Sequence, residues 1–387
     1  MIASMRPSAL VLLAVAMVGA EARAQAVRGR VVTPDSVAVP GAIVTLLDSA
    51  GTPLARALAD DAGRFAMRLP AAGRYGFQVL RLGFAPTHAA ALRVERGQEA
   101  ERTLVLTGAP IPLRAVQVTA EQQCVGADSA SAAFAVWEEA RKALLASQLT
   151  RMTRAYTMDV EMFVSRQSAD RMLPPTNRRS EMLGTRLRAL TPVPPEQLVR
   201  EGYLERGPTG ERYFAPDEDV LLSESFASTH CMRLIPTDSA SGVLRLGFVP
   251  RPGRTVPDIR GVMTVDRATS ELRRLDFMYT GLRITEQPGD PGGEIIYRRL
   301  PEGSWIIEYW ALVLPFVEQY VRQQAIPPMV SRNGQSTPGR PAVIAEGLGR
   351  VTSGGGVTRI RFGDTILWAA TEPPGPHPPV QLPPMRY

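Results

Sequence analysis

Pro40-Gly41-Ala42-Ile43-Val44-Thr45-Leu46-Leu47-Asp48-Ser49-Ala50-Gly51 places one run of strand-favouring residues between two turn signals. The same unit recurs on both sides of it. Upstream, Val27-Arg28-Gly29-Arg30-Val31-Val32 reads as a strand and Pro34-Asp35-Ser36 as a turn. Downstream come a strand at 54–58, the turn Asp60-Asp61-Ala62-Gly63, the strand Arg64-Phe65-Ala66-Met67-Arg68-Leu69, and strands at 74–82 and 101–106. About seven short elements in about eighty residues predict a small β-sandwich over 27–107. Gly41 and Gly63 fall where the chain must turn tightly, and Phe65, Tyr75 and Phe77 alternate toward one side.

Several of these stretches together resemble a known module. Gly29-Arg30-Val31, Pro40-Gly41-Ala42-Ile43-Val44-Thr45-Leu46, Asp61-Ala62-Gly63-Arg64-Phe65, Gly73-Arg74-Tyr75 and Gly83-Phe84 look like the carboxypeptidase regulatory-like domain, a transthyretin-like sandwich related to starch-binding-like folds. The resemblance implies an accessory module without catalytic residues of its own. The segment 110–120 is similar to the stretch immediately after this module in TonB-dependent outer-membrane receptors. The rest of the chain has neither a plug nor the many alternating strands of about ten residues that a barrel needs, which excludes a receptor.

At the N-terminus, Arg6 precedes an apolar run at 9–20, too short for the roughly 20 residues of a membrane span but suited to a signal peptide. The expected signal segment is 1–24, with cleavage after Ala24 or Ala26, and no cysteine near the cleavage site to carry a lipid. The protein is expected in the periplasm or outside the cell, with outer-membrane association allowed and no transmembrane segment after cleavage. Export gives meaning to Cys124 and Cys231, the only two cysteines, which are expected to form a disulfide.

The 387 residues suffice for two domains, and 44% hydrophobic with 21% charged residues excludes both disorder and a polytopic membrane protein. The net charge of +6 comes from arginines interleaved with acids. Lys142 is the only lysine. Such scattered charge describes a solvated surface and not a nucleic-acid track.

After an expected linker at 108–128, the region 129–370 opens with a predicted helix at 129–148, capped by Asp128 or Ser129. Phe134, Trp137, Leu144 and Leu145 lie toward one face and Glu138, Glu139, Arg141 and Lys142 outward. The strictly alternating Tyr156-Thr157-Met158-Asp159-Val160-Glu161-Met162-Phe163-Val164 predicts a half-buried strand. Two hairpins come later, at 261–279 and 293–310, with further strands at 231–235, 243–248, 343–350 and 357–369. The fold expected is mainly β: a small N-terminal β-sandwich, then a larger α+β domain with a curved antiparallel sheet. The sheet order and the hairpin at 261–279 resemble the half-barrel of lipoprotein-carrier proteins, which implies an apolar cavity. A flexible loop is expected at 333–340 and a proline-rich disordered tail at 371–387.

Familiar enzyme motifs are missing. The three histidines His88, His230 and His377 form no HExxH, and neither Gly-x-Ser-x-Gly nor Ser-x-x-Lys occurs. No catalytic residue, metal or cofactor is therefore assigned. His230 and Cys231 are chain neighbours on a strand and should face opposite ways. Asp217-Glu218-Asp219 with Glu224 is the strongest acid/base or metal candidate, but reads better as a solvated loop or helix start. Gly347-Leu348-Gly349 and Gly354-Gly355-Gly356 are expected to be hairpin turns. Trp305, Tyr309 and Trp310 are the ligand-binding candidates, with Trp305 and Tyr309 on one face of a strand and Trp310 on the other.

Together these features predict a non-enzymatic exported protein of binding or envelope assembly, whose partner is an envelope protein, a glycan or a lipid and not a nucleic acid. A hydrolase assembled from dispersed residues and a structural spacer are the competing readings.

Overall fold

The computed structural model describes residues 25–110, 132–169, 175–185, 188–207, 210–282, 291–322, 343–372, 375–377 and 382. The expected signal segment 1–24, most of the expected linker with Cys124, and the loop at 333–340 lie outside the described residues.

Seven strands build the N-terminal sandwich: β1 (Ala26–Val32), β2 (Ile43–Leu47), β3 (Pro53–Leu58), β4 (Arg64–Arg68), β5 (Gly73–Arg81), β6 (Phe84–Val94) and β7 (Glu99–Val105). One sheet has the order β4-β1-β7 and the other β3-β2-β5-β6. β1 pairs in parallel with β7, so the last strand of the module closes on the first. Alternation puts Val27, Val31, Val44, Leu46, Phe65, Tyr75, Phe77 and Val79 in one shared core. Gly41 and Gly63 have φ of 68° and 73°, as the tight turns require.

The larger region starts with the helix α1 (Ala132–Thr153) and continues with β8 (Thr157–Gln167), β9 (Thr176–Thr185), α2 (Pro195–Glu201), β10 (Leu204–Gly207), β11 (Gly210–Tyr213), α3 (Glu218–Leu221) and α4 (Glu224–Thr229). Next come β12 (His230–Ile235), β13 (Val243–Pro250), β14 (Asp258–Asp266), β15 (Leu272–Thr280), β16 (Gly292–Arg299), β17 (Trp305–Arg322), β18 (Val343–Phe362) and β19 (Thr365–Ala369). A ten-stranded sheet runs β12-β13-β14-β15-β16-β17-β18-β8-β9, with β19 also on β18. From β12 to β18 each strand pairs antiparallel with the next in sequence, so local hairpins order the sheet.

α1 lies against one face of this sheet, and the sandwich covers its other side. Phe134 is partly buried while Trp137, Leu144 and Leu145 are buried, as their spacing predicts, but burial extends around the helix to Ala133, Ala140, Ala143, Ala146, Glu139, Lys142 and Ser147. A helix buried nearly all round has no single polar face. The expectation that Glu139 and Lys142 point outward is therefore corrected: their side chains are 0% and 5% exposed.

The glycine runs are also corrected. Gly347-Leu348-Gly349 and Gly354-Gly355-Gly356 are not turns but lie inside the 20-residue β18, paired with β17 on one side and, from Arg350 onward, with β8 on the other. At Gly349, Gly354 and Gly355 the lack of a side chain serves the neighbouring strands. A Cβ at Gly355 would stand 2.7 Å from both the Met162 sulfur and the Trp310 ring. Glycine thus leaves room for a tryptophan to lie across the adjacent strand.

The face of the sheet away from α1 carries two smaller clusters, Phe163–Tyr309–Ala311 and Cys231–Val249–Val262. Where the sequence predicts a disordered tail, the described residues touch this face. His377 stacks on Tyr309 with ring centroids 4.2 Å apart and places Nδ1 3.1 Å from Glu294, while Leu382 packs on the Cys231 cluster.

Candidate functional site

A one-residue irregularity decides which aromatic groups meet. Ile296 of β16 pairs with Tyr309 of β17, but the next residue, Tyr297, pairs with Ile307, so Glu308 is left over as a bulge. An extra residue inverts the alternation beyond it. Trp305 and Trp310 consequently both join the core beneath α1, while Tyr309 packs on the outer face with Phe163 and His377. The expected grouping of Trp305 with Tyr309, and of Trp310 alone, is overturned by this bulge.

Under the C-terminal half of α1 the two tryptophans, Ile306, Ile307, Met158, Val160, Leu190 and Val357 wall a cavity of about 50 Å³. Its polar lining is Ser147, Thr150, Arg151 and Arg154 from the helix end, with Tyr156, Arg188, Asp217 and Glu218. A neighbouring cavity of about 230 Å³ shares Trp310, Ala189 and Leu190 with the first and extends along Met162, Leu312 and Gly354. The result is a largely apolar cleft with Trp310 at its middle. The Trp305 backbone N–H donates to Thr150 Oγ1 at 3.0 Å, which ties β17 to the helix. Its indole Nε1–H is buried and has no hydrogen-bond partner among the described residues.

The acidic run 217–219 opens α3, the helix start that the sequence allows, with Asp217 and Glu218 lining the cleft and Asp219 partly exposed. Asp217 caps α3 by accepting the Val220 N–H at 2.9 Å, and burial pushes its carboxyl up to about 6. Glu218 accepts from Ser147 Oγ at 2.8 Å, and Gln148 donates to Asp219. Arg151 lies 3.7 Å from Asp219, and Arg188 lies 3.9 Å from Asp217 and 3.6 Å from Asp219. Glu224 is apart from them, exposed at the start of α4. Among the described residues no group of three or more His, Cys, Asp or Glu side chains could hold a metal ion. Burial is also what raises the Tyr156 hydroxyl to about 12, where it donates to Glu302 Oε1 at 2.8 Å and lies 2.8 Å from Ser304 Oγ.

On the far side of α1 stands the N-terminal sandwich, and its sequence matches one family model throughout. Residues 26–107 are a carboxypeptidase regulatory-like domain. No curated protein matches the chain. Among solved structures, a candidate carbohydrate-binding protein from Bacteroides uniformis aligns over 68% of this chain and 99% of its own, at 10% identity and a TM-score of 0.19. The major pilin subunit BcpA of Bacillus cereus aligns over 84% of this chain and 95% of its own, at 8% identity and a TM-score of 0.20.

The carboxypeptidase regulatory-like domain is joined to α1 through buried charge. Lys142 Nζ donates to Glu139 Oε1 at 2.7 Å, to the Phe84 carbonyl at 2.7 Å and to the Arg81 carbonyl at 3.2 Å. Glu139 Oε2 in turn accepts the Gly83 N–H at 2.7 Å. A second contact brings Gly41 of the domain against Gly303 of the β16–β17 turn, where a Cβ on Gly41 would lie 2.5 Å from the Gly303 carbonyl oxygen. Ile43, Leu58 and Leu82 of the domain belong to the same core as α1.

The histidines and Cys231 lie in separate surroundings. His230 is buried, stacked on Phe226 at 4.2 Å and 3.2 Å from Asp258 Oδ1, and Arg254 pairs with the same aspartate. Its other nitrogen lies 3.1 Å from Thr229 Oγ1 and 3.2 Å from the Phe226 carbonyl, with no serine in the group. His88 is exposed beside Gln78. Cys231 faces the opposite side of the sheet from His230, as strand alternation predicts, and among the described residues no cysteine is free. No helix among the described residues is long and apolar enough to cross a membrane.

Proposed function

We propose that this is an exported, non-enzymatic binding protein that holds an apolar or ring-bearing small molecule in the cleft beneath α1, with the carboxypeptidase regulatory-like domain as a fixed accessory. The observation that carries the reading is the convergence of Trp305 and Trp310 on one apolar cleft, which the Glu308 bulge produces. Aromatic faces offer large contact area to acyl chains and to sugar rings alike. Tyr309, on the outer face, has no part in this reading. The signal segment 1–24 and a Cys124–Cys231 disulfide belong to the same proposal, because an oxidising compartment allows the bridge.

Native mass spectrometry of the mature protein, isolated from its own envelope under gentle and then denaturing conditions, tests the reading. A small molecule retained only in the gentle spectrum supports it; a bare protein that also ignores a panel of lipids and glycans refutes it. The same sample gives the N-terminal residue and the free-thiol count with and without reductant. Equal thiol counts would remove the disulfide.

Asp217 and Glu218 both line the cleft, and this favours a hydrolase as the second reading, with Asp217 as the proton-carrying acid. Both carboxylates are already engaged by a helix cap, Ser147 and arginines, which supports the binding reading over it. Turnover of any glycoside or ester that Asp217→Asn abolishes would reverse that order.

A further inference from the structure

The walls of the cleft are apolar, yet two of its donors have nothing to donate to. Among the described residues the Trp305 indole N–H, in a residue 1% exposed, is buried without a partner, and so is the Nε–H of Arg154. An arginine Nε without a partner recurs elsewhere in the chain, at Arg298 and Arg361 among others, but a buried indole N–H without one is the exception, and at Trp305 it points to an acceptor in the cavity. The arginines of the smaller cavity, directly under α1, are also unequal. Arg151 and Arg188 face Asp217, Glu218 and Asp219 within 4.0 Å. Arg154 makes no ion pair among the described residues, and it stands one helical turn beyond Arg151, past the end of the acidic cluster's contacts with α1.

Arg154 also lines a third cavity, of about 720 Å³, between the helix end and the carboxypeptidase regulatory-like domain, where Arg28 is paired with Glu99 and Arg64 with Asp60, which leaves Arg30 and Arg154 facing Glu101. The end of the cleft at Arg154 therefore carries a guanidinium without an ion-pair partner among the described residues and borders a roomier cavity, while the wall at Trp305 and Trp310 is apolar. A guanidinium with a free edge recognises a carboxylate or phosphate better than a neutral group, and in a low-dielectric wall the preference is strengthened.

We infer that the ligand of the cleft is an amphipathic anion, with its apolar part on Trp305 and Trp310 and its carboxylate or phosphate group on Arg154. This rests on the proposed binding function of the cleft and goes further, since an apolar cleft alone would take neutral and anionic molecules equally.

Titration of the mature full-length protein with octanoate, octyl phosphate and octan-1-ol, monitored by calorimetry and tryptophan fluorescence, tests the inference. Octanoate or octyl phosphate is expected to bind at least tenfold more tightly than octan-1-ol, and the stronger of the two identifies the head group. Arg154→Gln should bring the anion down to the alcohol's affinity, with Arg154→Lys between them, and circular dichroism checks that each variant is folded. Trp310→Ala should weaken all three compounds. Equal binding of acid and alcohol, or an anion preference that survives Arg154→Gln, overturns the assignment and leaves the apolar cleft standing. Binding of none of the three overturns both.

Discussion

The carboxypeptidase regulatory-like domain and the ten-stranded sheet are both antiparallel-rich β structures, but they are specified in different ways. In the former, turns close most of the strands, each turn carries its own chemical signal, and the interior is apolar apart from Thr45 and Thr87. In the latter, the bulge at Glu308, interior glycines and buried ions decide which groups meet. The contrast teaches that local turn chemistry orders a small sandwich even though its strands β2, β5 and β6 carry register shifts, whereas in the large sheet the groups that line the cleft are set by pairing between strands.

The sharpest way to break that contrast is at the joint between the two regions. Removing one member of a buried pair leaves the other uncompensated, so Glu139→Ala should cost about 3–5 kcal/mol, read as a lower urea midpoint at unchanged slope. Replacing both Glu139 and Lys142 by methionine should cost much less, and a single variant as stable as the parent would deny the joint its role. The next effect is electrostatic. Burial holds Asp217 at about 6 against its ordinary 3.8, so between these values the folded chain binds this proton more tightly than the unfolded chain. Its contribution is full below pH 3.8 and is lost as pH rises through about 6, a swing of at most about 3 kcal/mol. Asp217→Asn should flatten that part of the stability–pH curve; an unchanged slope would place the proton elsewhere.

Gly355→Ala probes the sheet's irregularity more gently. The new methyl presses on Trp310 and Met162, and overpacking of this kind costs about 1–3 kcal/mol. Tryptophan emission should shift with it, and a variant with neither change would mean that the Trp310 ring does not lie over β18. The smallest effect belongs to the exposed pair Arg206–Glu211 on the β10–β11 hairpin, 3.1 Å apart. Arg206→Ala should change thermal stability by no more than about 0.5 kcal/mol.

Much of the architecture is legible in the order of residues alone. Period-two alternation and Asp/Gly turns locate β1 to β5 and β7, and the two local hairpins mark the middle of the large sheet. β6 (Phe84–Val94) escapes such a reading because proline, threonine and alanine break its alternation. The site is less legible. The tryptophans stand out, but alternation alone inverts their faces, since a bulge is set by pairing with β16 and leaves no mark in β17 itself. Glu139 and Lys142 read as solvent-facing because charge normally belongs there. Their separation of three residues, which lets a glutamate and a lysine meet on one helix face, is the available signal. The orphan donors of Trp305 and Arg154 are tertiary facts, visible only once neighbours are placed.

The burial of Lys142 has a chemical consequence. It is the chain's only lysine, and its amine is held among Glu139 and two main-chain carbonyls. An amine-reactive label therefore has no side chain to attack while the joint is closed, beyond whatever amino terminus the mature chain exposes. The rate at which Lys142 becomes acylated measures how often helix and sandwich part, with a single residue as the clock.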